Sequence, residues 1–148
     1  MTETLTLSDL WTSKPTQAAF LDAIAKADEM AMIAYVGSFG SGKSWAVCRA
    51  AIGLALTYPG IKILLGRFHA TDLEITTLQE FLKLIGHLET VTGERQGRLH
   101  GAEYQRTYVF ENGSLVLFRP LDEAAQKYRS LEIAVLGVDE ASEVPLSD

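Results

Sequence analysis

One glycine-rich segment constrains the fold of this chain more than any other feature of its sequence. The segment matches the Walker A pattern GxxxxGK[ST] and follows an apolar run at residues 31–36. After it, residues 44–57 carry a single charged side chain, that of Arg49. An apolar run of strand length, a glycine-rich loop and an apolar helix, in this order, predict a phosphate-binding loop in an α/β fold. The loop residues are Gly37, Ser38, Phe39, Gly40, Ser41, Gly42, Lys43 and Ser44.

These residue types suit the binding of a nucleoside triphosphate together with Mg²⁺. Glycines allow backbone N–H groups to turn toward a phosphate, and the N-terminus of the following helix adds the positive end of its dipole. Lys43 is expected to reach the β- and γ-phosphates, and the Ser44 hydroxyl is expected to coordinate Mg²⁺. The alternative, a glycine-rich turn that arose by chance, is disfavoured because a strand and a helix are both predicted in the required places.

A later apolar run, residues 133–138, ends at Asp139 and Glu140. Since open α/β sheets bind ligands at the carboxyl ends of their strands, both carboxylates are expected near the phosphate loop. Asp139 would then be the second anchor for Mg²⁺, and Glu140 would deprotonate the water that attacks the γ-phosphate, which indicates an ATPase rather than a kinase. A GTPase is disfavoured because no DxxG pattern starts at Asp139 and no NKxD pattern follows. A solvated acidic strand end is the alternative.

The γ-phosphate also calls for a positive charge during hydrolysis, and three arginines are candidates. These are Arg67, Arg119 and Arg129. Arg67 follows the second predicted strand at its carboxyl end, and Arg129 lies in a polar segment before the acidic strand. An ordinary surface ion pair is the alternative for either of these two. The three histidines lack the spacing of a nucleophile or metal site, so they are expected to be exposed or hydrogen-bonded.

The remaining periodicities predict one domain over residues 1–148. An amphipathic helix is predicted over 17–30, a second buried strand over 61–65, and a third helix that opens with a capping box at 71–74. The apolar face of this third helix is formed by Ile75, Leu78, Leu82 and Ile85. The pair at 112–113, Asn-Gly, predicts a hairpin with a type I′ turn. The fold class is therefore an α/β P-loop NTPase of the ASCE type, with a mainly parallel central sheet flanked by helices. An additional strand is expected between the phosphate-loop strand and the acidic strand, together with an inserted β-hairpin.

The amino-acid composition limits which partners the protein can bind and where in the cell it is expected. The net charge of −6 argues against strong unaided binding to nucleic acid, because such binding depends on clustered Lys and Arg. No apolar run reaches the roughly 18–20 residues of a membrane span, and the acidic N-terminus is unlike a secretory signal. We therefore expect a soluble intracellular protein with no membrane partner. The single cysteine, Cys48, fits a reducing compartment and is expected in the core.

Beyond these motifs, the chain resembles the N-terminal ATPase region of large terminase subunits from tailed bacteriophages. The phosphate loop and the acidic pair are shared with many ATPases, so the discriminating parts are the hairpin, the polar segment after it and the tail after Glu140. The resemblance covers about residues 15–144. Its segments are Pro15-Thr16-Gln17, Leu64-Leu65-Gly66-Arg67, Glu111-Asn112-Gly113-Ser114, Leu121-Asp122, residues 127–130 and residues 141–144.

The resemblance implies roles for two further residues and shows a departure at a third. Gln17 is expected near the adenine. Arg129 is expected to reach the active site of an adjacent subunit in a homo-oligomeric ring. Phe39 stands where many members have an arginine inside the phosphate loop. The sensing or catalytic function of that arginine is therefore absent here or is performed by another residue.

The resemblance also implies a function. ATP hydrolysis would drive double-stranded DNA into a capsid in the cytoplasm of the infected bacterial host, with the portal protein and the small terminase subunit as partners. The family pattern continues after Asp148 with further strands, a coupling motif, a lid subdomain and a C-terminal nuclease, so a partial ATPase domain is expected. Two alternatives stay open. One is another P-loop ATPase, such as a helicase or a partition or loading ATPase, and the other is an assembly module that binds nucleotide without hydrolysing it.

Overall fold

The computed structural model describes residues 15–25, 42–121 and 132–140. Helix α1 spans Pro15–Ala25, helix α2 spans Lys43–Thr57, and strand β1 spans Lys62–Arg67. A composite helix follows, made of the short helix α3, Ala70–Asp72, a π-helical turn, Leu73–Thr77, and helix α4, Leu78–Thr92. The remaining strands are β2, Gly97–His100, β3, Thr107–Phe110, β4, Leu115–Pro120, and β5, Val135–Val138.

Several predictions fall outside the described residues. They concern the phosphate-loop strand at 31–36, the loop residues Gly37, Ser38, Phe39, Gly40 and Ser41, the end of the first helix at 26–30, Arg129 and the tail at 141–144. The additional strand between the phosphate-loop strand and the acidic strand therefore stays a prediction. The helix predicted after the loop is confirmed over its whole length, Lys43–Thr57. None of the helices in the described ranges is both long and apolar enough to cross a lipid bilayer.

The described strands form one sheet in the order β2-β3-β4-β1-β5. Strand β1 pairs in parallel with β4 on one side and with β5 on the other. The pairs β2–β3 and β3–β4 are antiparallel. The predicted mainly parallel sheet is thus corrected to a mixed sheet in this part of the chain. The hairpin is part of that sheet, because its second strand, β4, pairs directly with β1.

Helices α2 and α4 pack against one face of the sheet and enclose the core. Helix α2 contributes mostly small buried side chains, among them Ala46, Ala51 and Ala55, so it can approach the strands closely. Helix α4 contributes Phe81, whose ring packs edge-on against three aromatic rings of the hairpin at centroid distances of 5.1 to 6.4 Å. Full burial of one such side chain stabilises the fold by about 1.5–3 kcal/mol. This packing fixes the first turn of α2 and the π turn near the carboxyl ends of β1 and β5.

The π turn changes the phase of the third predicted helix. The N–H of Leu78 donates to the carbonyl of Leu73, a bond between residues i and i+5 that accommodates one extra residue. Ile75 was predicted on the buried face, but 63% of its surface is exposed. Leu78 and Ile85 are buried as predicted, and Leu73 and Thr77 are buried in place of Ile75. The prediction for Ile75 is wrong because helical periodicity assumes a constant rotation per residue.

The predicted capping box at 71–74 is also wrong. The helix begins at Ala70, and its N-cap residue, His69, makes no side-chain capping hydrogen bond within the described part of the chain. The carboxylate of Glu74 instead accepts a hydrogen bond from Nε of Arg106 at 3.0 Å. A tertiary contact with the loop before β3 has therefore replaced the local cap.

The hairpin is confirmed, but its turn is longer than the predicted type I′ turn. The N–H of Gly113 donates to the carbonyl of Phe110 at 3.0 Å, and the N–H of Phe110 donates to the carbonyl of Ser114 at 2.9 Å. Residues 111–113 therefore form the loop, in which only Gly113 has a positive φ, 90°. The side chain of Asn112 donates to the carbonyl of Ala55 at 2.8 Å, so the turn also caps the C-terminal end of α2.

Candidate functional site

The carboxyl ends of β1 and β5 bring two charged side chains together. The strands are parallel neighbours with Gly66 opposite Val138, and the N–H of Asp139 donates to the carbonyl of Gly66 at 2.8 Å. Arg67 and Asp139 therefore follow at the same edge, with 3.9 Å between Arg67 Nη1 and Asp139 Oδ2. This is the edge at which open α/β sheets bind their ligands.

The side chain of Asp139 is buried, and its two carboxylate oxygens have different surroundings. Oδ2 accepts a hydrogen bond from Ser44 Oγ at 2.8 Å and another from Thr77 Oγ1 at 2.6 Å. Oδ1 is buried, and no residue in the described ranges forms a hydrogen bond with it. Leaving a buried polar atom without a partner costs about 1–3 kcal/mol, and more for a charged group. Contact with a bound ion or water is one way in which such an atom is satisfied.

Ser44 and Asp139 together fit the predicted Mg²⁺ ion. A serine hydroxyl has one proton and two lone pairs, and the proton of Ser44 goes to Asp139, so its lone pairs can face a metal. Mg²⁺ takes many of its oxygen ligands from water and from substrate phosphates, so it needs only one or two anchors on the protein. Within the described ranges, no group of three or more His, Cys, Asp or Glu side chains could hold a metal by itself. The geometry of the pair is thus compatible with the predicted Mg²⁺ site, which stays a prediction.

Lys43 and Glu140 form the second charged pair at this edge. Lys43 lies in the first turn of α2, and its Nζ is 3.8 Å from Glu140 Oε1. Both side chains are about one-fifth exposed, so they can reach a ligand from solvent. Glu140 has a φ of 53°, in the left-handed region that a residue with a side chain seldom adopts. Strained backbone of this kind occurs at functional sites more than elsewhere.

Gly42 joins the phosphate loop to α2 and contacts Gln17. Its φ is 82°, which favours glycine, and a Cβ placed on it would collide with the side-chain amide of Gln17. The Nε2 of Gln17 donates to the carbonyl of Gly42 at 3.2 Å. Gln17 is buried, so this contact holds α1 against the end of the loop. The structure thus brings Gln17 to the loop, while its predicted contact with adenine stays a prediction.

The three candidate arginines differ in their position relative to the site. Arg67 is brought beside Asp139, as described above. Arg119 is used in the hairpin, where its Nη1 donates to the carbonyl of Arg106 at 2.6 Å and its Nη2 to the hydroxyl of Thr107 at 3.1 Å. Arg129 lies outside the described residues. The three histidines are exposed, as expected: His69, His87 and His100.

Sequence reasoning missed one residue of the site, Thr77. It lies on the π turn, is fully buried, and donates to Asp139 from a position 62 residues earlier in the chain. One signal could have found it, because Thr77 is the polar member of an apolar series at helical spacing with Phe81, Leu84 and Leu88. A hydroxyl on an otherwise apolar stripe needs a partner, and here the partner is the buried carboxylate.

Cys48 lies beneath the site and is expected to resist thiol reagents in the folded protein. Burial, followed by the charges of Asp139 and Glu80, raises the pKa of its thiol well above the ordinary value. The Sγ of Cys48 donates to the carbonyl of Thr77 at 3.5 Å. Because the thiolate is the reacting species, Ellman's reagent at pH 8 should label the native protein at least about tenfold more slowly than the unfolded protein. Equal rates would contradict the burial of this thiol.

Comparison with protein-family models identifies the chain. The model described as "Terminase large subunit, T4likevirus-type, N-terminal" matches residues 34–148, a range that contains Ser44, Thr77 and Asp139. The chain belongs to this family. Membership confirms the resemblance to large terminase subunits of phage and indicates a role in phage genome packaging. A search of the curated proteins gives no match, and neither does a search of the solved structures.

The terminase match begins later than the resemblance seen in the sequence, at residue 34 instead of about residue 15. Helix α1 and Gln17 therefore lie outside it. The site described above comes from inside the matched range, with the exception of Gln17.

Proposed function

We propose that this terminase chain binds ATP with Mg²⁺ and hydrolyses it at the edge formed by β1, β5 and the first turn of α2. The observation that carries the proposal is the convergence of Lys43, Ser44, Asp139 and Glu140 at this edge. Ser44 and Asp139 are 95 residues apart in sequence and yet share a hydrogen bond of 2.8 Å. A lysine, a hydroxyl and two carboxylates are the groups that ATP hydrolysis needs for the phosphates, the metal and the attacking water.

Each of these residues has a defined task in the proposed reaction. Bound Mg²⁺ would neutralise phosphate charge, with Ser44 and Asp139 as its anchors on the protein. Lys43 would exchange its contact with Glu140, now 3.8 Å, for oxygens of the β- and γ-phosphates. That exchange leaves the carboxylate of Glu140 free to accept a proton from the attacking water.

Two arginines are proposed to supply positive charge in different ways. The side chain of Arg67 is only 12% exposed and lies at the same strand edge as Asp139, so it contributes its charge within one subunit. Arg129 is proposed to act on the site of an adjacent subunit, as the family resemblance implies. Charge of this kind stabilises the transferring phosphoryl group.

We propose further that hydrolysis drives double-stranded DNA into a capsid, within a homo-oligomeric ring in the cytoplasm of the infected host. The portal protein and the small terminase subunit are the proposed partners. Family membership supports this assignment over a helicase or a partition ATPase. Because the net charge of the chain is −6, its contact with DNA is expected to be local or transient.

Titration calorimetry with ATP, in Mg²⁺ and in EDTA, tests the binding step, and phosphate release tests the chemistry. We expect Mg²⁺ to tighten ATP binding and Asp139→Asn to remove most of that gain. Phosphate release should accompany binding. Binding that depends on Mg²⁺ but gives no phosphate, with or without DNA, would instead support the assembly module. An ATP affinity that is the same in Mg²⁺ and in EDTA would overturn the proposed site.

Gln17→Ala is expected to weaken ATP binding by about twofold to tenfold, since a neutral hydrogen bond contributes about 0.5–1.5 kcal/mol. Inorganic triphosphate, which has no adenine, is the comparison ligand. We expect the larger loss for ATP, because the contact with Gly42 affects both ligands whereas an adenine contact affects only one. Equal losses would assign Gln17 to the loop alone, and unchanged affinities would contradict both roles.

A further inference from the structure

Among the described residues, Thr77 makes the shortest hydrogen bond to Asp139, the proposed metal anchor. Its Oγ1 is 2.6 Å from Asp139 Oδ2, compared with 2.8 Å for Ser44 Oγ. A hydroxyl that donates to a carboxylate at about 2.5–2.7 Å forms a charge-assisted bond, which is stronger than a bond between neutral groups. Thr77 is fully buried, so water does not compete for this contact. The bond is therefore a strong constraint on the orientation of the carboxylate.

The π turn is what places this hydroxyl. The i to i+5 bond from Leu78 to Leu73 inserts one residue into the helix, and both leucines are buried on either side of Thr77. Ile75 is turned outward as a result. Turns of this type occur frequently at functional sites. The same inserted residue therefore exposes Ile75 and directs the side chain of Thr77 toward Asp139.

The backbone of Thr77 is held as well as its side chain. Its carbonyl accepts the thiol proton of Cys48 at 3.5 Å, and Cys48 belongs to α2, the helix that carries Lys43 and Ser44. The threonine thus connects the π turn, α2 and β5 through two polar contacts. Neither contact involves the phosphate loop itself, so both can persist when the loop binds a ligand.

We infer that Thr77 is a positioning residue for metal binding, an inference that rests on the proposed function. Its hydroxyl donates to Oδ2 of Asp139 and fixes the carboxylate. Oδ1, which has no hydrogen-bond partner among the described residues, then stays available to Mg²⁺ or its waters. Ser44 also donates to Oδ2, at 2.8 Å, but its hydroxyl is itself a proposed metal ligand, so Thr77 supplies the hold on the carboxylate that does not depend on the metal. Partners of metal ligands commonly change metal affinity by about 10–100-fold when they are removed.

Four variants separate positioning from packing. Thr77→Ala and Thr77→Ser both lose the methyl group and differ only in the hydroxyl, while Thr77→Val keeps the shape without the hydroxyl. Thr76→Val is the matched control, because Thr76 lies on the same π turn but is exposed. ATP affinity is measured by calorimetry in Mg²⁺ and in EDTA, and the thermal midpoint of unfolding is measured for every variant.

The gain in ATP affinity on adding Mg²⁺ should fall by about tenfold or more in Thr77→Ala and Thr77→Val. It should be retained in Thr77→Ser and in Thr76→Val. Affinity in EDTA should be unchanged in all four, since Thr77 acts through the metal. Equal Mg²⁺ gains in the alanine and serine variants would overturn the inference, as would equal losses in Mg²⁺ and in EDTA, which indicate packing alone.

A measurement on the unchanged chain covers the case in which the variants do not fold. With ¹³C-labelled threonine methyl groups, the Thr77 signal should shift between ATP in EDTA and ATP in Mg²⁺, and the Thr76 signal should not. A Thr77 methyl signal with the same chemical shift in Mg²⁺ and in EDTA would contradict the inference. Absence of any Mg²⁺-dependent ATP binding by the parent chain would instead refute the proposed function, so the two failures are distinguishable.

Discussion

Glu140→Gln is expected to bind ATP at least as tightly as the parent chain and to release phosphate about 10²–10⁴ times more slowly, the usual contribution of a general base. Glutamine keeps the size of the side chain and can occupy the same backbone conformation, with φ at 53°. It cannot accept the proton of the attacking water. It also removes a negative charge near Lys43, 3.8 Å away, so phosphate binding should not suffer.

Phosphate release under saturating ATP and Mg²⁺ measures this effect, with calorimetry as the check on binding. Glu132→Gln is the matched control, since Glu132 is exposed and precedes β5, at the opposite end of the strand from Glu140. The Glu132→Gln control should release phosphate at the same rate as the parent chain. Turnover of Glu140→Gln at the parental rate would remove Glu140 from the catalytic step.

Lys43→Ala is expected to weaken binding of ATP with Mg²⁺ by about two orders of magnitude. Hydrogen bonds to charged groups contribute about 1.5–3 kcal/mol each, and about 1.4 kcal/mol corresponds to a tenfold change in affinity. The fold itself should be little affected, because the 3.8 Å pair with Glu140 is partly exposed and such pairs contribute little to stability.

Lys83→Ala serves as the control for Lys43→Ala, because Lys83 is an exposed lysine on α4. The two variants lose the same side chain from different places. We expect the control to bind ATP normally and both variants to unfold near the parental temperature. Equal ATP affinities for the two variants would show that the phosphates are not held at the start of α2.

The sequence predicted the parts of the site that lie next to strong local signals. The start of α2 follows directly from the glycine-rich motif, and its end follows from Tyr58-Pro59-Gly60. The position of Asp139 follows from the apolar strand before it. In each case the deciding residues are neighbours in the chain, so no knowledge of the sheet is needed.

The rest of the site depends on contacts that cross the sheet. The neighbours of Asp139 are set by the parallel register of β1 with β5, which brings Arg67 to the same edge. Thr77 arrives through a π turn, which a pattern with constant helical spacing does not contain. Ile75 shows the same limit, since the spacing predicts it to be buried and the structure has it 63% exposed.

The hairpin shows tertiary contacts overriding a local turn preference. Asn-Gly favours a two-residue type I′ turn, but the side chain of Asn112 is used to cap α2 at Ala55, 57 residues earlier in the chain. The loop extends to residues 111–113, and only Gly113 takes a positive φ. Likewise, the parallel pairing of β4 with β1 depends on distant residues, so a mixed sheet could not be predicted from the hairpin signal alone.

A crystal structure of the chain with Mg²⁺ and a non-hydrolysable ATP analogue would show whether the nucleotide and the metal bind at the first turn of α2. We expect the metal on Ser44 Oγ, at about 2.0–2.1 Å, with Asp139 beside it. We also expect Lys43 Nζ to contact the phosphates and to have left its present contact with Glu140. An analogue bound away from α2, or a Lys43 that stays with Glu140 while no metal lies at Ser44, would contradict it.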